Sequence, residues 1–390
     1  MININMKNFP TIAAFVFCAI VVLPDPNTCE SAFSGYCKSN HFLDGSTANE
    51  RAVKYGLRHD AQAAQRLAWI KNTAIPIVIR VIYDASLEAE YPQPEIRNNF
   101  IRTFFFSAQL IFEQPELYNE IKIQLVVISI EKLAVEFPVE SRSSDILLNS
   151  DKINAATNNN ASDLTVLLIY KNIYDGQGLS VILGQAYLGT FCQPQARGKG
   201  VIVNAHAINN ALVFAHEIGH TLGIIHDDYN SPRECQGSRS IMWMAGGSTR
   251  WSPCSLQMAK NFLVSDYVFP CLYDQARLGR AIPLNPQFDF KTASRRPYPG
   301  EQFSLDDQCR LSSDKIARAC NISRCDVCHG LGCVVDDSYM ELRPALYGSE
   351  CDNMSMFGRC KHQECTLSPM MGASRANVEP DQRLSASIFE

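Results

Sequence analysis

Residues 215–227 constrain this chain more than any other feature of its sequence. They read AHEIGHTLGIIHD, with histidines at positions 216, 220 and 226. Residues i and i+4 share one face of a helix, so His216 and His220 can bind the same metal ion. Gly223 predicts the end of that helix, because glycine adopts positive φ without steric cost. A chain that turns there can return His226 as a third ligand.

Three histidine ligands are typical of a catalytic zinc site rather than a structural one, because the fourth tetrahedral position stays open. Zinc in such a site acidifies water and polarises a carbonyl group. Glu217 lies beside the first ligand, where it can act as the general base. The alternative, a surface helix that holds three histidines by chance, has a prior of about 1%. The segment therefore predicts peptide-bond hydrolysis with one Zn²⁺ and no organic cofactor.

The N-terminus predicts export. An apolar run at residues 11–23 follows a stretch whose only charged side chain is Lys7. This run is too short to span a bilayer but suits a signal peptide over residues 1–23, with a buried core helix or strand as the alternative. No later segment is apolar enough for a membrane span. We therefore expect a secreted, extracellular protein, with a short pro-like segment at residues 24–74.

The cysteines support this expectation. The chain has fifteen, and Cys18 lies inside the predicted signal peptide. The remaining fourteen form an even set, as expected for disulfides made in an oxidising compartment. A Cys29–Cys37 bridge is favoured over the alternative that one of these two caps the zinc as a thiolate. Glycosylation is compatible with three sequons, at Asn160, Asn321 and Asn353.

Residues 75–276 alternate between strand and helix patterns, which predicts a layered α/β domain. The strand candidates are residues 75–83, 121–130, 164–170, 183–191 and 201–203. The helix candidates are residues 48–70, 94–112, 209–222 and 256–263.

The composition changes after this region. Residues 277–299 have no periodicity and are interpreted as a linker. Residues 300–367 hold eight cysteines and few apolar runs, which predicts a small module stabilised by disulfides. Residues 368–390 are interpreted as a tail. The net charge of −5 provides no basic surface, so nucleic acid is not expected as a partner.

The complete pattern HExxHxxGxxHD, with Asp227 after the third histidine, resembles the reprolysin branch of the metzincin proteases, which includes the ADAM and ADAMTS enzymes. The resemblance implies a metzincin fold, with a mixed sheet and a long active-site helix. It also implies a Met-turn beneath the zinc. Met242 in the segment Ser240-Ile241-Met242 matches that turn, with Met244 as a rival.

Further segments resemble the ADAMTS side of the family, namely residues 183–189, 251–255, 271–274, 298–303 and 308–311. The first of these resembles the edge strand that pairs with extended substrate. The resemblance implies the disulfides Cys192–Cys271 and Cys235–Cys254, and a disintegrin-like cysteine-rich module at residues 300–367. No thrombospondin-type repeat and no large prodomain are expected.

The family's structural calcium site is incomplete in this sequence. Asp163 and Asp274 match its ligands, but Val78 and Asn172 stand where acids are expected, which argues against Ca²⁺. The function favoured by the sequence is a monomeric, secreted, zinc-dependent endopeptidase acting on extracellular proteins. Whether it works in tissue remodelling or as a venom or saliva component stays open. The alternative is an adhesive protein that acts through its cysteine-rich module.

Overall fold

The computed structural model describes residues 61–134, 162–174, 181–192, 199–228, 235, 240–244, 248–285, 288, 297–311, 317–320, 326–335, 338–341, 344–353 and 356–367. The predicted signal peptide, the Cys29–Cys37 bridge, the sequons at Asn160 and Asn321, and the tail from residue 368 lie outside these ranges. Within these ranges no helix is both long and apolar enough to cross a bilayer.

A five-stranded mixed sheet forms the centre of the first region. The strands of this region are β1 Ala74–Tyr83, β2 Lys122–Lys132, β3 Leu164–Ile169, β4 Ile173–Tyr174, β5 Val181–Ile182, β6 Gly184–Ala186 and β7 Gly200–Asn204. The order in the five-stranded sheet is β2-β1-β3-β7-β6, and β6 is antiparallel to β7 while the other pairs are parallel. Strands β4 and β5 form a separate antiparallel pair. The predicted α/β class is confirmed.

Both faces of the sheet are covered, as parallel sheets require. Side chains alternate between the faces because successive residues of a strand point to opposite sides. In β1, Ile79 and Val81 enter the main core, whereas Ile82 joins a second cluster with Leu167 and Ile202 on the other face. These residues are almost fully buried, which explains why the strands are near-continuous runs of Val, Ile and Leu.

The main core lies between the sheet and two helices. The helices of this region are α1 Ala61–Asn72, α2 Ala85–Glu90, α3 Pro94–Phe112, α4 Pro115–Tyr118, α5 Ala211–Thr221, α6 Pro253–Leu263, α7 Phe269–Leu272 and α8 Gln275–Leu278, with a 3₁₀ turn at Ile208–Asn210. Helix α3 starts with a proline at its first position, where a missing N–H is tolerated. Its Phe105 packs on Phe214 of α5 with ring centroids 4.8 Å apart. Helix α3 therefore packs directly on the helix that carries the histidine motif.

The expected strand at residues 183–191 is mostly wrong. Only Gly184–Ala186 pairs in the sheet. The chain then leaves the sheet, and the N–H groups of Gly189 and Phe191 donate to the carbonyls of His220 and Thr221 at 2.8 and 3.0 Å. These bonds satisfy carbonyl groups at the end of α5 that have no partner inside the helix.

The cysteine-rich segment, residues 297–367, contains short elements. They are α9 Pro299–Gln302, α10 Leu305–Arg310, β8 Ala317–Ala319, β9 Gly332–Val335, β10 Ser338–Glu341, β11 Glu350–Asn353, β12 Met356–Lys361 and β13 Glu364–Leu367. Two antiparallel three-stranded sheets form, β10-β9-β8 and β11-β12-β13. Disulfides join Cys309–Cys333, Cys328–Cys360 and Cys351–Cys365, and Cys320 is also disulfide-bonded.

The cysteine-rich segment packs against the first region. The Asn209 side chain donates to the Pro344 carbonyl at 2.8 Å, and the Arg102 guanidinium donates to Gln302 at 2.9 Å. After α8, the N–H of Leu284 donates to the carbonyl of Val127 in β2 at 2.8 Å. The start of the expected linker therefore lies against the sheet.

Candidate metal centre

Helix α5 presents the histidine motif and ends where the third histidine must return. Gly223 has φ +81°, a conformation that side chains other than glycine disfavour. The N–H of Ile224 donates back to the carbonyl of Gly219 at 3.1 Å and closes the helix end. A Cβ at position 223 would also lie 2.9 Å from Phe262. The turn therefore needs glycine for its backbone angle and for its space.

Three buried imidazoles converge beyond this turn. The Nε2 atom of His226 lies 3.2 Å from Nε2 of His216 and 3.2 Å from Nε2 of His220. All three residues are at most 5% exposed. The structure therefore brings the three predicted ligands to one point.

The opposite ring nitrogens define the tautomers. Nδ1–H of His216 donates to the carbonyl of Ile241 at 2.6 Å, and Nδ1–H of His220 donates to the carbonyl of Ile224 at 2.8 Å. A carbonyl can only accept, so both protons sit on Nδ1, and both Nε2 atoms present their lone pairs toward Nε2 of His226. A cation between the three nitrogens would accept these lone pairs.

Charge and geometry both suit zinc. Burial lowers the pKa of His220 to about 4 and holds the pKa of His226 well below its usual value, so both rings are neutral at pH 7. Neutral imidazole is the form that binds metal. Two nitrogens bound to a tetrahedral zinc at about 2.0–2.1 Å lie roughly 3.3–3.4 Å apart, close to the separations in this structure. The donor set therefore fits one zinc ion.

Glu217 lies one residue after the first histidine and is fully buried. Its carboxylate packs beneath the edge strand β6, because a Cβ added to Gly184 would lie 2.7 Å from its Oε1 atom. Strand β6 therefore needs a residue without a side chain at the point where the carboxylate passes.

Met242 lies below the histidine helix and is fully buried. Its sulfur would lie 2.6 Å from a Cβ built on Gly219, so the two segments approach closely only because position 219 is glycine. Met244, the rival for the Met-turn, is half-buried, and its N–H donates to the Asp228 carboxylate. The structure thus places Met242, and not Met244, against the histidine helix.

Asp227 connects three segments around the centre. It is fully buried, and its carboxylate accepts hydrogen bonds from the hydroxyls of Ser240, Ser252 and Ser255. Burial raises the pKa of Asp227, and these hydrogen bonds partly offset the rise. Its N–H also donates to the Met242 carbonyl at 3.0 Å. The network ties the third histidine to the Met242 segment and to the start of α6.

Disulfides brace the same region. Cys192 is bonded to Cys271 and Cys235 to Cys254, the pairs that the resemblance implies. The Cys235–Cys254 disulfide links the segment that follows His226 to helix α6. Another trio of close sulfurs, on Cys328, Cys351 and Cys365, belongs to disulfides and offers no thiolate to a metal.

The residues at the expected calcium position do not form an acid cluster. Both carboxylate oxygens of Asp163 accept from the guanidinium of Arg277, at 2.9 and 2.8 Å. That guanidinium also donates to the Pro76 carbonyl and stacks 5.0 Å from the centroid of Phe191. Calcium needs six to eight oxygen ligands, whereas here a buried cation already occupies the carboxylate.

The other residues of that expected site do not supply the missing oxygens. Asp274 is exposed and caps α8 by accepting from the N–H of Ala276. Asn172 is exposed, and Val78 contributes a backbone N–H to Asp163.

Comparison with known proteins agrees with the geometry. Residues 72–262 match the model of metallo-peptidase family M12 in its reprolysin form. They form a reprolysin-type metallopeptidase domain. This metallopeptidase domain contains the three histidines, Glu217, Met242 and the Asp227 network. The ADAMTS resemblance stated from the sequence is confirmed by relatives with that name.

Three of these relatives illustrate the match. The human protein "A disintegrin and metalloproteinase with thrombospondin motifs 19" is 31% identical over 194 residues, which cover 47% of this chain and 14% of the relative. The Caenorhabditis elegans protein gon-1 of the same description is 29% identical over 221 residues, which cover 52% of this chain and 10% of the relative. The human protein "A disintegrin and metalloproteinase with thrombospondin motifs 8" is 26% identical over 273 residues, which cover 66% of this chain and 29% of the relative. The chain thus spans less than a third of each relative.

Sequence reasoning missed the groups that orient the ligands. The carbonyls of Ile241 and Ile224 fix two of the imidazoles, yet every residue carries a carbonyl, so no sequence signal marks them. Arg277 was also missed, because it is 114 residues from Asp163 along the chain and pairs with it only in the fold. Gly184 lies in the segment that resembles an edge strand, but its role beside Glu217 follows only from the fold.

Proposed function

We propose that this chain is a secreted zinc-dependent endopeptidase that cleaves extracellular proteins. The observation that carries the proposal is the convergence of three buried imidazoles whose Nε2 atoms meet at one point, with a buried carboxylate on the same helix turn. Secretion is supported by the apolar N-terminal run and by the disulfides. Membership of the M12 family supports hydrolysis of peptide bonds.

Each residue has a defined task in this proposal. His216, His220 and His226 hold the metal, and the carbonyls behind the first two keep their protons on Nδ1. Zinc, when bound, supplies a Lewis acid that polarises the scissile carbonyl and acidifies water. Glu217 accepts the proton of the attacking water at its carboxylate and delivers it to the leaving amine. Burial of the centre strengthens these electrostatic interactions.

Substrate is proposed to bind in extended form along β6. This strand is the last in the sheet order and passes over Glu217, so a peptide laid beside it would run past the metal centre. Addition of a strand to a sheet edge uses backbone hydrogen bonds for affinity and alternate side chains for specificity. The resemblance of residues 183–189 to a substrate-pairing strand supports this arrangement.

We further propose that the protease needs no calcium, because Arg277 already neutralises Asp163. Activity and thermal stability should be the same in about 5 mM calcium, which exceeds the roughly 1 mM dissociation constants of weak extracellular sites, and in a calcium-selective chelator. A loss of either on calcium removal would overturn this part of the proposal and leave the zinc site untouched.

The test of the main proposal is metal analysis combined with a cleavage assay on a peptide library. The purified chain should retain one zinc per molecule, lose activity in a strong zinc chelator and regain it when zinc is added back. The fold should survive the chelator, because the core and the disulfides hold the domain. Absence of zinc, or cleavage that persists after its removal, would reject the proposal.

A further inference from the structure

The turn between β12 and β13 inserts two polar side chains into the metallopeptidase domain. His362 and Gln363 form this two-residue turn and have φ +51° and +64°. Such turns favour Asn-Gly, because longer side chains are strained at positive φ. Histidine tolerates this region better than most residues, but Gln363 is kept where the backbone disfavours it, and a strained residue of this kind points to a function.

Both side chains reach residues of the metallopeptidase domain. Nδ1–H of His362 donates to Oε1 of Gln114 at 2.6 Å. Oε1 of Gln363 accepts from the hydroxyl of Ser248 at 3.0 Å. Gln114, Gln363 and Ser248 are each at most 8% exposed, so water competes little for these hydrogen bonds.

A continuous series of hydrogen bonds leads from Gln363 to the metal centre. The Ser248 hydroxyl, which donates to Gln363, accepts from the N–H of Arg250 at 3.1 Å. The carbonyl of Arg250 accepts from the N–H of Ile241 at 2.7 Å. The carbonyl of Ile241 accepts from Nδ1–H of His216 at 2.6 Å.

We infer that Gln363 is a positioning residue for the metal centre. It fixes Ser248 and Arg250, which fix the peptide of Ile241, whose carbonyl sets the tautomer and ring plane of His216. The cysteine-rich segment then tunes metal retention without touching the metal. This inference rests on the proposed zinc site, and its experiment separates the two.

The experiment measures the zinc dissociation rate of the full chain against a chromogenic chelator, well below the unfolding temperature. Gln363→Met keeps the shape but removes the acceptor for Ser248, whereas Gln363→Glu keeps an acceptor oxygen. Loss of a group that orients a ligand directly costs about 10–100-fold in metal affinity or activity, so an indirect partner should change the rate by roughly 3–10-fold. Gln363→Met should lose zinc faster by that factor, and Gln363→Glu should stay near the rate of the unsubstituted protein.

A matched glutamine separates positioning from general destabilisation. Gln308 is fully buried in the same segment and bonds Phe303, Ser349 and Leu346, and none of these three belongs to the series that runs from Gln363 to His216. Gln308→Met should lower the unfolding temperature and leave zinc dissociation unchanged. The inference would be overturned, while the zinc proposal stands, if Gln308→Met and Gln363→Met changed the zinc dissociation rate equally. It would also be overturned if Gln363→Met left that rate unchanged. An unsubstituted chain that holds no zinc would overturn both.

Discussion

The metallopeptidase domain and the cysteine-rich segment bury their interiors by different means. The main core of the first is a continuous cluster, mostly of Ile, Val, Leu and Phe, that spans the sheet and helices α3 and α5 and also takes in Leu311 and Leu346 of the cysteine-rich segment. The cluster of the second has nine buried members, and five of them are half-cystines, at Cys309, Cys328, Cys333, Cys351 and Cys360. The same chain therefore relies on apolar burial in one region and on covalent links in the other.

The difference follows from size and strand length. Strands β1 and β2 have ten and eleven residues and lie in one sheet under long helices, so each strand buries a large apolar area. The strands of the cysteine-rich segment have three to six residues and cannot enclose a core of that kind. The long strands support the metal centre, whereas the short ones present the turn at His362 and Gln363, which bonds Gln114 and Ser248 of the metallopeptidase domain.

Substitution of Arg277 should have the largest effect on stability, because it breaks the buried ion pair of the metallopeptidase domain. Arg277 and Asp163 are 2% and 7% exposed. Arg277→Met leaves Asp163 buried and without its cation, which should cost about 3–5 kcal/mol of unfolding free energy. Urea unfolding would measure the loss.

The exposed pair Arg250–Glu364 provides the matched control, since these side chains are 47% and 63% exposed. Arg250→Met should change the unfolding free energy by less than about 1 kcal/mol. Similar losses in Arg250→Met and Arg277→Met would show that the packed region does not depend on its buried pair.

Loss of one bridge in the cysteine-rich segment should act locally. Cys328 and Cys360 are 32 residues apart in sequence, and replacing both with Ala should cost about 2–5 kcal/mol. Hydrogen exchange should speed up across residues 297–367 while residues 72–262 keep their protection. Loss of protection in both regions together would contradict the conclusion that the metallopeptidase domain is stabilised by its own apolar core.

Gly184→Ala should have a smaller effect on stability and should act mainly on catalysis. The added methyl group would meet Glu217 and Val213 at 2.7 Å, which should cost about 1–3 kcal/mol and displace the carboxylate. We expect kcat to fall with little change in KM. In a Glu217→Gln background the same substitution should have no further effect on kcat, because both changes act on one group. Additive losses of kcat in the double variant would show that Gly184→Ala affects catalysis by a route other than displacement of the Glu217 carboxylate.

The elements that could be predicted from sequence are those with strong local signals. Helix α3 has its predicted bounds, and strands β1, β2, β3 and β7 start and end within two residues of prediction, because proline at the first helical position and runs of β-branched residues act locally. The strand predicted at 183–191 was mostly wrong, since Gly189 and Phe191 instead bond to the end of α5. No local pattern encodes that tertiary contact.

The metal centre likewise has some features that local sequence predicts and others that depend on the fold. The spacing of His216 and His220 follows from helix geometry alone, so sequence could suggest both as ligands of one ion. The partner of Asp163 could not be found this way, because Arg277 is 114 residues distant along the chain. The contact of Gln363 with Ser248 joins two regions and likewise depends on the fold.

The most direct test of the zinc-protease account is the rate of peptide cleavage by Glu217→Gln. The substitution keeps size and hydrogen bonding but removes the base, so kcat should fall by about 10²–10⁴-fold. Zinc content and thermal stability should match the unsubstituted protein, because Glu217 is not proposed as a ligand. Any effect of the protein on cells should fall in step with cleavage. Cleavage that persists, or a cellular effect that survives its loss, would contradict the account, and the second outcome would favour an adhesive role for the cysteine-rich segment.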